Sequence, residues 1–152
     1  RRIASIVRAG ATILQFVQNG NLFELSVPVL DQNNTTVNTA ASSLLTLASV
    51  PTGLIIEAIF NMYHQPGTVG HSIILSNPAV TDVASIVIGT KTAPLGTHGI
   101  NVNATGAGIT GYDSKVSVMT NVSAQIRARA SAASALIDIA TLGWIDRRGR
   151  DD

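Results

Sequence analysis

Apolar and polar residues alternate with a period of two along much of the chain, the spacing that places successive side chains on opposite faces of a β-strand. The alternation is clearest over residues 125–130, where Gln125, Arg127 and Arg129 share one face. Turn residues interrupt such segments about every 8–12 positions, giving roughly nine or ten short strands. The pattern predicts an all-β fold, an antiparallel β-sandwich of jelly-roll-like type. A helix over residues 129–140 is the competing interpretation, because Ala-rich sequence has high helix propensity.

Gly, Pro and Asn mark the turns between the predicted strands. Residues 19–21 (Asn-Gly-Asn) predict a hairpin turn, since both residue types accept positive φ, and residues 51–53 (Pro-Thr-Gly) predict a second turn. Residues 121–124 are expected to form a hairpin between the strands on either side. Pro28 is expected to end a strand or to lie at a sheet edge, because proline cannot donate to a ladder. The polar residues 31–41 are expected to form a loop.

The most apolar stretch, residues 53–60, coincides largely with a core strand predicted over residues 54–62. Its alternation leaves two sets that can face inward, Leu54, Ile56 and Ala58, or else Ile55 and Ile59. Glu57 is expected to share a face with the second set and to be exposed or at a contact, because an unpaired buried carboxylate is very costly. Further core residues are expected to include Phe16, Val118, Ile126 and Ile139.

The chain carries few charges. Asp, Glu, Lys and Arg make up 12% of its residues, and the net charge is +1. Between Asn21 and Gln125 the only cations are Lys91 and Lys115. Charged residues are depleted at the centres of protein interfaces, so this neutral middle favours packing against other chains. A monomer surface covered by Ser, Thr and Asn is the alternative. The small net charge predicts no broad attraction to nucleic acid.

Length and composition limit the architecture. The 152 residues suit one domain, residues 1–152. The chain starts with Arg rather than Met, so we expect a fragment of a longer chain or a processed product. No apolar run reaches the roughly 18 residues of a membrane span, so no membrane insertion is expected. The absence of cysteine excludes disulfides and thiolate chemistry.

The motifs that carry chemistry are incomplete. Residues 106–111 satisfy G-x-G-x-x-G, but a predicted strand follows them where a dinucleotide site needs a helix. The candidate metal ligands are His64, His71, His98 and Asp82. None of the histidines has helical ligand spacing, and the turn residues after His64 favour an exposed loop. We therefore expect no enzyme activity, no catalytic residues, no cofactor and no metal.

Two distinctive segments lie near the ends of the chain. The arginine-bearing strand Gln125-Ile126-Arg127-Ala128-Arg129 precedes the segment Gly143-Trp144-Ile145-Asp146-Arg147-Arg148-Gly149. Near the start, Arg2-Ile3-Ala4-Ser5-Ile6 precedes Phe16-Val17-Gln18-Asn19-Gly20. Together they resemble a group of bacteriophage tail and fibre structural domains, although Ala4 stands where glycine is expected. The resemblance leaves the middle of the chain unmatched. It implies a virion structural protein that assembles with copies of itself, a trimer by analogy with fibres, and with other virion proteins.

We expect the assembly contacts to involve a set of polar and aromatic residues, namely Arg127, Arg129, Trp144, Asp146, Arg147, Arg148 and Arg150. Arginine pairs with carboxylates and stacks on aromatic rings. Acidic residues interleave with the last arginines, so ion pairing is expected rather than nucleic-acid binding. Two alternatives remain open: a module of a tail fibre that binds a host receptor or a cell-surface glycan, and a capsid decoration protein. The expected location is the virion, on the tail or the particle surface.

Overall fold

The structure, a computed structural model, describes residues 6–9, 11–39, 43–65, 72–84, 99–103 and 111–147. These residues form eleven β-strands: β1 (Arg8–Ala9), β2 (Thr12–Ile13), β3 (Phe16–Asn19), β4 (Leu22–Val37), β5 (Ser43–Thr46), β6 (Glu57–Gln65), β7 (Ser72–Ser76), β8 (Gly99–Asn103), β9 (Gly111–Met119), β10 (Gln125–Ala130) and β11 (Ala135–Ile145). The described residues contain no helix, and hence none that has the length and apolarity to span a membrane. The all-β prediction is confirmed, and two strands replace the alternative helix over residues 129–140.

The strands form two antiparallel sheets that pack face to face. The large sheet has five strands in the order β3-β4-β11-β6-β9, and the small sheet has four in the order β5-β10-β7-β8. A short hairpin of β1 and β2 precedes the large sheet. The antiparallel sandwich is therefore confirmed, whereas its jelly-roll-like arrangement stays a prediction.

The core lies between the two inner faces and follows the predicted alternation. In β10, Ile126 and Ala128 are fully buried, while the arginines between them face outward. The strand predicted over residues 54–62 is β6, which begins only at Glu57. Ile56, just before it, and Ala58, within it, are buried, and Ile55 is exposed. The first of the two inward-facing sets is therefore the correct one. Three of the four further core residues, Val118, Ile126 and Ile139, are buried, and Phe16 packs partly buried against the core.

Strand β4 does not end at Pro28 but continues to Val37. Its pairing with β3 ends at Leu25, so Pro28 lies where one side of β4 has no paired strand, as the sheet-edge alternative expected. Pro28 lies at an irregularity of the ladder with β11, between the pairs Thr141–Val29 and Gly143–Glu24. Outside the regular ladder, the backbone N–H of a residue is not needed for a hydrogen bond to the neighbouring strand, so proline is tolerated there. One long strand thus crosses the whole sheet despite an internal proline.

The polar residues 31–37 also belong to β4, so the prediction of a loop over residues 31–41 was wrong for this part. This segment binds across to the small sheet. The Gln32 side chain donates from Nε2 to the Thr46 carbonyl oxygen on β5 at 2.6 Å, and the backbone carbonyl of Asn38, just after β4, accepts from the Ala130 N–H on β10 at 3.1 Å. These bonds connect β4 and the residue after it to two strands of the small sheet.

The turn at residues 121–124 exists, but it does not make the predicted hairpin. Asn121 Oδ1 accepts hydrogen bonds from the Ser123 and Gln125 N–H groups at 2.9 and 3.0 Å, and Ala124 has a φ of 56°. The strands that the turn joins lie in different sheets, since β9 pairs with β6 and β10 pairs with β5 and β7. The turn therefore connects the two layers of the sandwich.

The turn at residues 19–21 makes the expected hairpin between β3 and β4. Asn19 pairs with Leu22, so Gly20 and Asn21 form a two-residue loop, and Gly20 has a φ of 63°. Residues 106–110 of the glycine-rich motif lie outside the described residues.

Candidate assembly surface

Arg127 and Arg129 lie on the outer face of the small sheet and hold a loop over it. The Arg127 guanidinium donates to the carbonyl oxygens of Val80 and Pro78 at 2.6 and 2.7 Å. Arg129 forms a 3.0 Å ion pair with Asp82 and donates from Nε to Thr39 O at 3.2 Å. Both side chains therefore bind within their own chain. Their part in contacts between copies stays a prediction.

The loop that the arginines hold begins with a tight turn. Asn77 Oδ1 accepts from the Ala79 N–H at 2.9 Å, and Asn77 O accepts from the Val80 N–H at 3.1 Å. A turn of this kind leaves carbonyl oxygens pointing away from its own backbone, where a guanidinium can reach them. The planar fork of arginine fits two such oxygens at once, which lysine does not.

Trp144 is fully buried and forms the centre of an aromatic cluster. Its ring stacks on Phe23 with centroids 5.3 Å apart and an interplanar angle of 4°. Phe16 meets Trp144 edge-on at 5.8 Å and Phe23 at 5.4 Å. Within the described residues, the Trp144 Nε1 atom has no hydrogen-bond partner. The tryptophan that we predicted as an assembly contact is thus a core residue of the large sheet.

Asp146 and Arg147 follow Trp144 where β11 ends. Asp146 is 6% exposed, and its N–H donates to Asn21 O at 2.9 Å. Arg147 extends over the outer face of the large sheet and pairs with Glu57 at 3.0 Å. Arg148 and Arg150, the other two predicted contacts, lie outside the described residues. Of the predicted set, the structure therefore brings Trp144, Asp146 and Arg147 together and places Arg127 and Arg129 on the other sheet.

Glu57 behaves as the strand prediction required. Its side chain is 23% exposed, and besides Arg147 it accepts a 2.7 Å hydrogen bond from the Ser117 hydroxyl. One carboxylate oxygen binds each partner, so the half-buried charge is compensated. The pair lies on the outward side of β6, opposite the buried Ala58.

The outer face of the large sheet is more apolar than the sequence analysis anticipated. Val17, Leu30 and Met119 lie on it and are 64%, 56% and 39% exposed. The register places further apolar residues between them, in rows that run across the strands. These are Leu22 on β4, Ala140 and Ile145 on β11, and Ile59 on β6. The missed signal was the outward set of β11, where Leu136, Ala140 and Ile145 sit among residues expected to be polar.

The centre of this outer face is already packed. Ile59 points outward, since it alternates with the buried Ala58 and Phe60, yet it is only 8% exposed. Its register partners are Ser117 on β9 and Gly143 on β11. Glu24, the next residue of this row, is exposed on β4. The middle of the face thus combines a packed isoleucine with a glycine, a serine and an exposed carboxylate.

His64 was expected in an exposed loop, and that prediction was wrong. Strand β6 continues to Gln65, so the alternation carries His64 to the inner face behind Met62, and it is fully buried. The strand extends one residue beyond His64, whereas we had expected it to end before this histidine. Among the described residues, no group of three or more His, Asp or Glu side chains is arranged to hold a metal ion. His71 and His98 lie outside those residues.

The Asp31 carboxylate on β4 accepts hydrogen bonds from β11 and from the loop that follows β5. Asp31 accepts a 2.6 Å hydrogen bond from the Thr141 hydroxyl and a 3.1 Å bond from the Ser49 N–H. The Ser49 hydroxyl donates to the same side chain. Thr141 and Ser49 are 0% and 2% exposed, so this cluster of hydrogen bonds lies in the interior of the sandwich. The three hydrogen bonds tie β4 to β11 and to the loop after β5.

Comparison with protein-family models gave no match, and searches of curated proteins and of solved structures gave none either.

Proposed function

We propose that this chain is a structural component of a tailed-bacteriophage virion, a tail or fibre protein, that acts by assembling with copies of itself and with neighbouring virion proteins. The observation that carries the proposal is the apolar outer face of the large sheet. In a sandwich, the outward faces of the sheets ordinarily carry polar residues. Large exposed apolar areas mark sites of contact with other proteins. The resemblance of both chain ends to tail and fibre domains supports the tail or a fibre as the place where this contact is made.

The alternative of a glycan-binding module is less well supported by the aromatic residues. Such sites use exposed rings to stack on sugars. Trp144, the only tryptophan of the chain, is fully buried. Among the side chains whose exposure the structure describes, Tyr63 is the exposed aromatic, at 41%. A capsid decoration protein would also bind its neighbours through an apolar surface. The position of the protein on the particle therefore distinguishes it from a tail protein.

The test is to raise antibodies against the folded recombinant chain and to label particles of a phage that encodes it, with electron microscopy as the readout. Labelling on the tail or fibres is the expected result. Labelling over the capsid would replace the tail assignment with the decoration protein. Particles that carry no label, and no peptide of this chain by mass spectrometry, would overturn the proposal. A glycan array probed with the same recombinant chain tests the receptor-binding alternative.

A further inference from the structure

We propose that Asn19 is a site of spontaneous deamidation, at which the folded chain converts its own asparagine into a mixture of aspartate and isoaspartate. The reaction needs no enzyme and no cofactor. It needs a next residue that does not obstruct the approach, two accessible reacting groups, and a backbone that can leave its strand. The hairpin turn between β3 and β4 provides all three.

Asn19 is the only asparagine of the chain that is followed by glycine. Deamidation begins when the backbone nitrogen of the next residue attacks the side-chain amide carbon. A Cβ on that next residue crowds the attacking nitrogen, and glycine has none. Val122, which follows Asn121, is β-branched and represents the opposite case. The sequence therefore makes Asn19 the most reactive asparagine of the chain, provided that the fold leaves it accessible.

The turn leaves both reacting groups accessible. Asn19 and Gly20 are exposed. Among the described residues, neither the Asn19 side-chain amide nor the Gly20 N–H has a hydrogen-bond partner. Asn19 ends β3, a strand of four residues at the edge of the large sheet whose neighbour in that sheet is β4. The end of a short edge strand frays more readily than the interior of a sheet. Fraying lets the Asn19 torsions rotate until the amide carbon meets the Gly20 nitrogen.

The reaction balances without an oxidant or a reductant. The Gly20 nitrogen forms a bond to Asn19 Cγ, and the bond from Cγ to Nδ2 breaks. The proton lost by the Gly20 nitrogen leaves with Nδ2 as ammonia, and a cyclic imide (succinimide) remains. Water then opens the ring at one of its two carbonyl carbons. Opening at Cγ gives aspartate in an ordinary backbone, and opening at the backbone carbonyl gives isoaspartate.

Isoaspartate breaks the end of the β3–β4 hairpin. Its main chain runs through the side-chain carbon, so one extra carbon separates the Cα atom of residue 19 from the Gly20 nitrogen. The two-residue loop is closed by the pair Asn19–Leu22 and by the Gly20 φ of 63°, and neither accommodates a longer link. The turn fixes the register of a hairpin, so β3 is expected to separate from β4. That separation uncovers Phe16, which packs edge-on against Trp144.

The first experiment incubates the folded chain in mildly alkaline buffer and follows each asparagine by peptide mapping with mass spectrometry. Replacement of the side-chain NH2 by OH adds about 1 Da. Asn121 is the control within the same chain, because it also lies in a turn, but its Oδ1 accepts hydrogen bonds from the Ser123 and Gln125 N–H groups. We expect Asn19 to react at least about tenfold faster than Asn121. Equal rates, or no mass gain at Asn19, would refute the proposal.

A second experiment tests the effect on β3 with two variants, Asn19→Gln and Asn19→Asp. Glutamine keeps an amide but has to close a larger ring, so Asn19→Gln should gain no mass at this position and should keep its urea midpoint after incubation. The converted fraction of the original chain, separated by its added negative charge, should unfold at a lower urea concentration than the unconverted fraction. Fresh Asn19→Asp carries the same charge on an ordinary backbone and should unfold with the unconverted chain. A midpoint for fresh Asn19→Asp as low as that of the converted chain would assign the loss to charge, and an unchanged midpoint for the converted chain would also show that β3 stays paired.

Discussion

Gly143 occupies the one position in the centre of the large sheet where a side chain cannot fit, so Gly143→Ala tests the packing directly. A Cβ atom at this position would lie 2.1 Å from the Phe23 carbonyl oxygen and 3.0 Å from Glu24 Cα. Carbon and oxygen normally approach no closer than about 3.3 Å, so the carbonyl has to move by about 1 Å. Both close atoms belong to the β4 backbone, which cannot rotate away as a side chain can.

The expected cost follows from what that movement breaks. Displacing the β4 backbone weakens one or two ladder hydrogen bonds at about 1 kcal/mol each, and overpacking adds about 1–3 kcal/mol. We expect Gly143→Ala to lower the free energy of unfolding by about 3 kcal/mol. The φ of this residue, 159°, is one that residues with a side chain rarely adopt, so backbone strain adds to the steric cost and the loss should be at least this large. Urea unfolding followed by the fluorescence of Trp144, the neighbouring residue, measures it at one fixed chain concentration.

Gly53→Ala is the matched control. Gly53 has a φ of 77°, and a Cβ there would meet nothing within 4 Å. The left-handed conformation costs alanine about 1–2 kcal/mol, partly offset by the smaller entropy of the unfolded chain. We expect a loss of about 1 kcal/mol or less. Equal losses for the two variants, or a loss below about 1 kcal/mol for Gly143→Ala, would refute the steric argument.

Three further changes test the polar contacts. Asp31→Asn replaces one acceptor oxygen with a donor that faces hydroxyl and amide donors, and it should lower the urea-unfolding free energy by about 1–3 kcal/mol; no loss would mean that the cluster contributes nothing. Arg127→Met leaves two loop carbonyls without their donor, so hydrogen exchange in residues 77–82 should accelerate at least tenfold while β11 stays protected; unchanged exchange would show that the loop holds itself. Glu57→Gln removes the charged partner of Arg147 and should lower the free energy of unfolding by less than about 1 kcal/mol, a difference that should shrink in 1 M salt. A loss that does not depend on salt would assign the effect to the hydrogen bond with Ser117 instead.

The strands themselves could be predicted from the sequence, because side-chain alternation is a local property. Residues 125–130 show this best, since the two faces of β10 are the ones that the pattern indicated. The partners of a strand are not local. Residues 121–124 have the turn chemistry of a hairpin, and the same chemistry also serves a connection between sheets. Nothing in the tetrapeptide distinguishes the two cases.

The errors arose where polar residues were assumed to face water. Residues 31–37 have the composition of a loop, yet Asp31 and Gln32 face the other sheet and find partners that are distant in sequence. His64 was assigned to a loop because turn residues follow it, but one more strand residue was enough to bury it. The apolar outer face was missed for the converse reason. Leu30 directly precedes the polar residues 31–36, and the sequence does not show that it lies beside Ala140 on the outer face until the strand register is known.

The position of the two central strands in the chain has a consequence for biosynthesis. Strand β10 lies in the interior of the small sheet and β11 in the middle of the large one, and both follow all their sheet neighbours in the chain. A ribosome adding about 5–20 residues per second has therefore made nearly all the flanking strands several seconds before their common partners emerge. During that interval β4, β5, β6 and β7 lack the strands that join them, and their unpaired edges are open to other chains. Fast synthesis of residues 77–145, and chaperone binding to the nascent chain in that interval, should therefore raise the yield of folded protein.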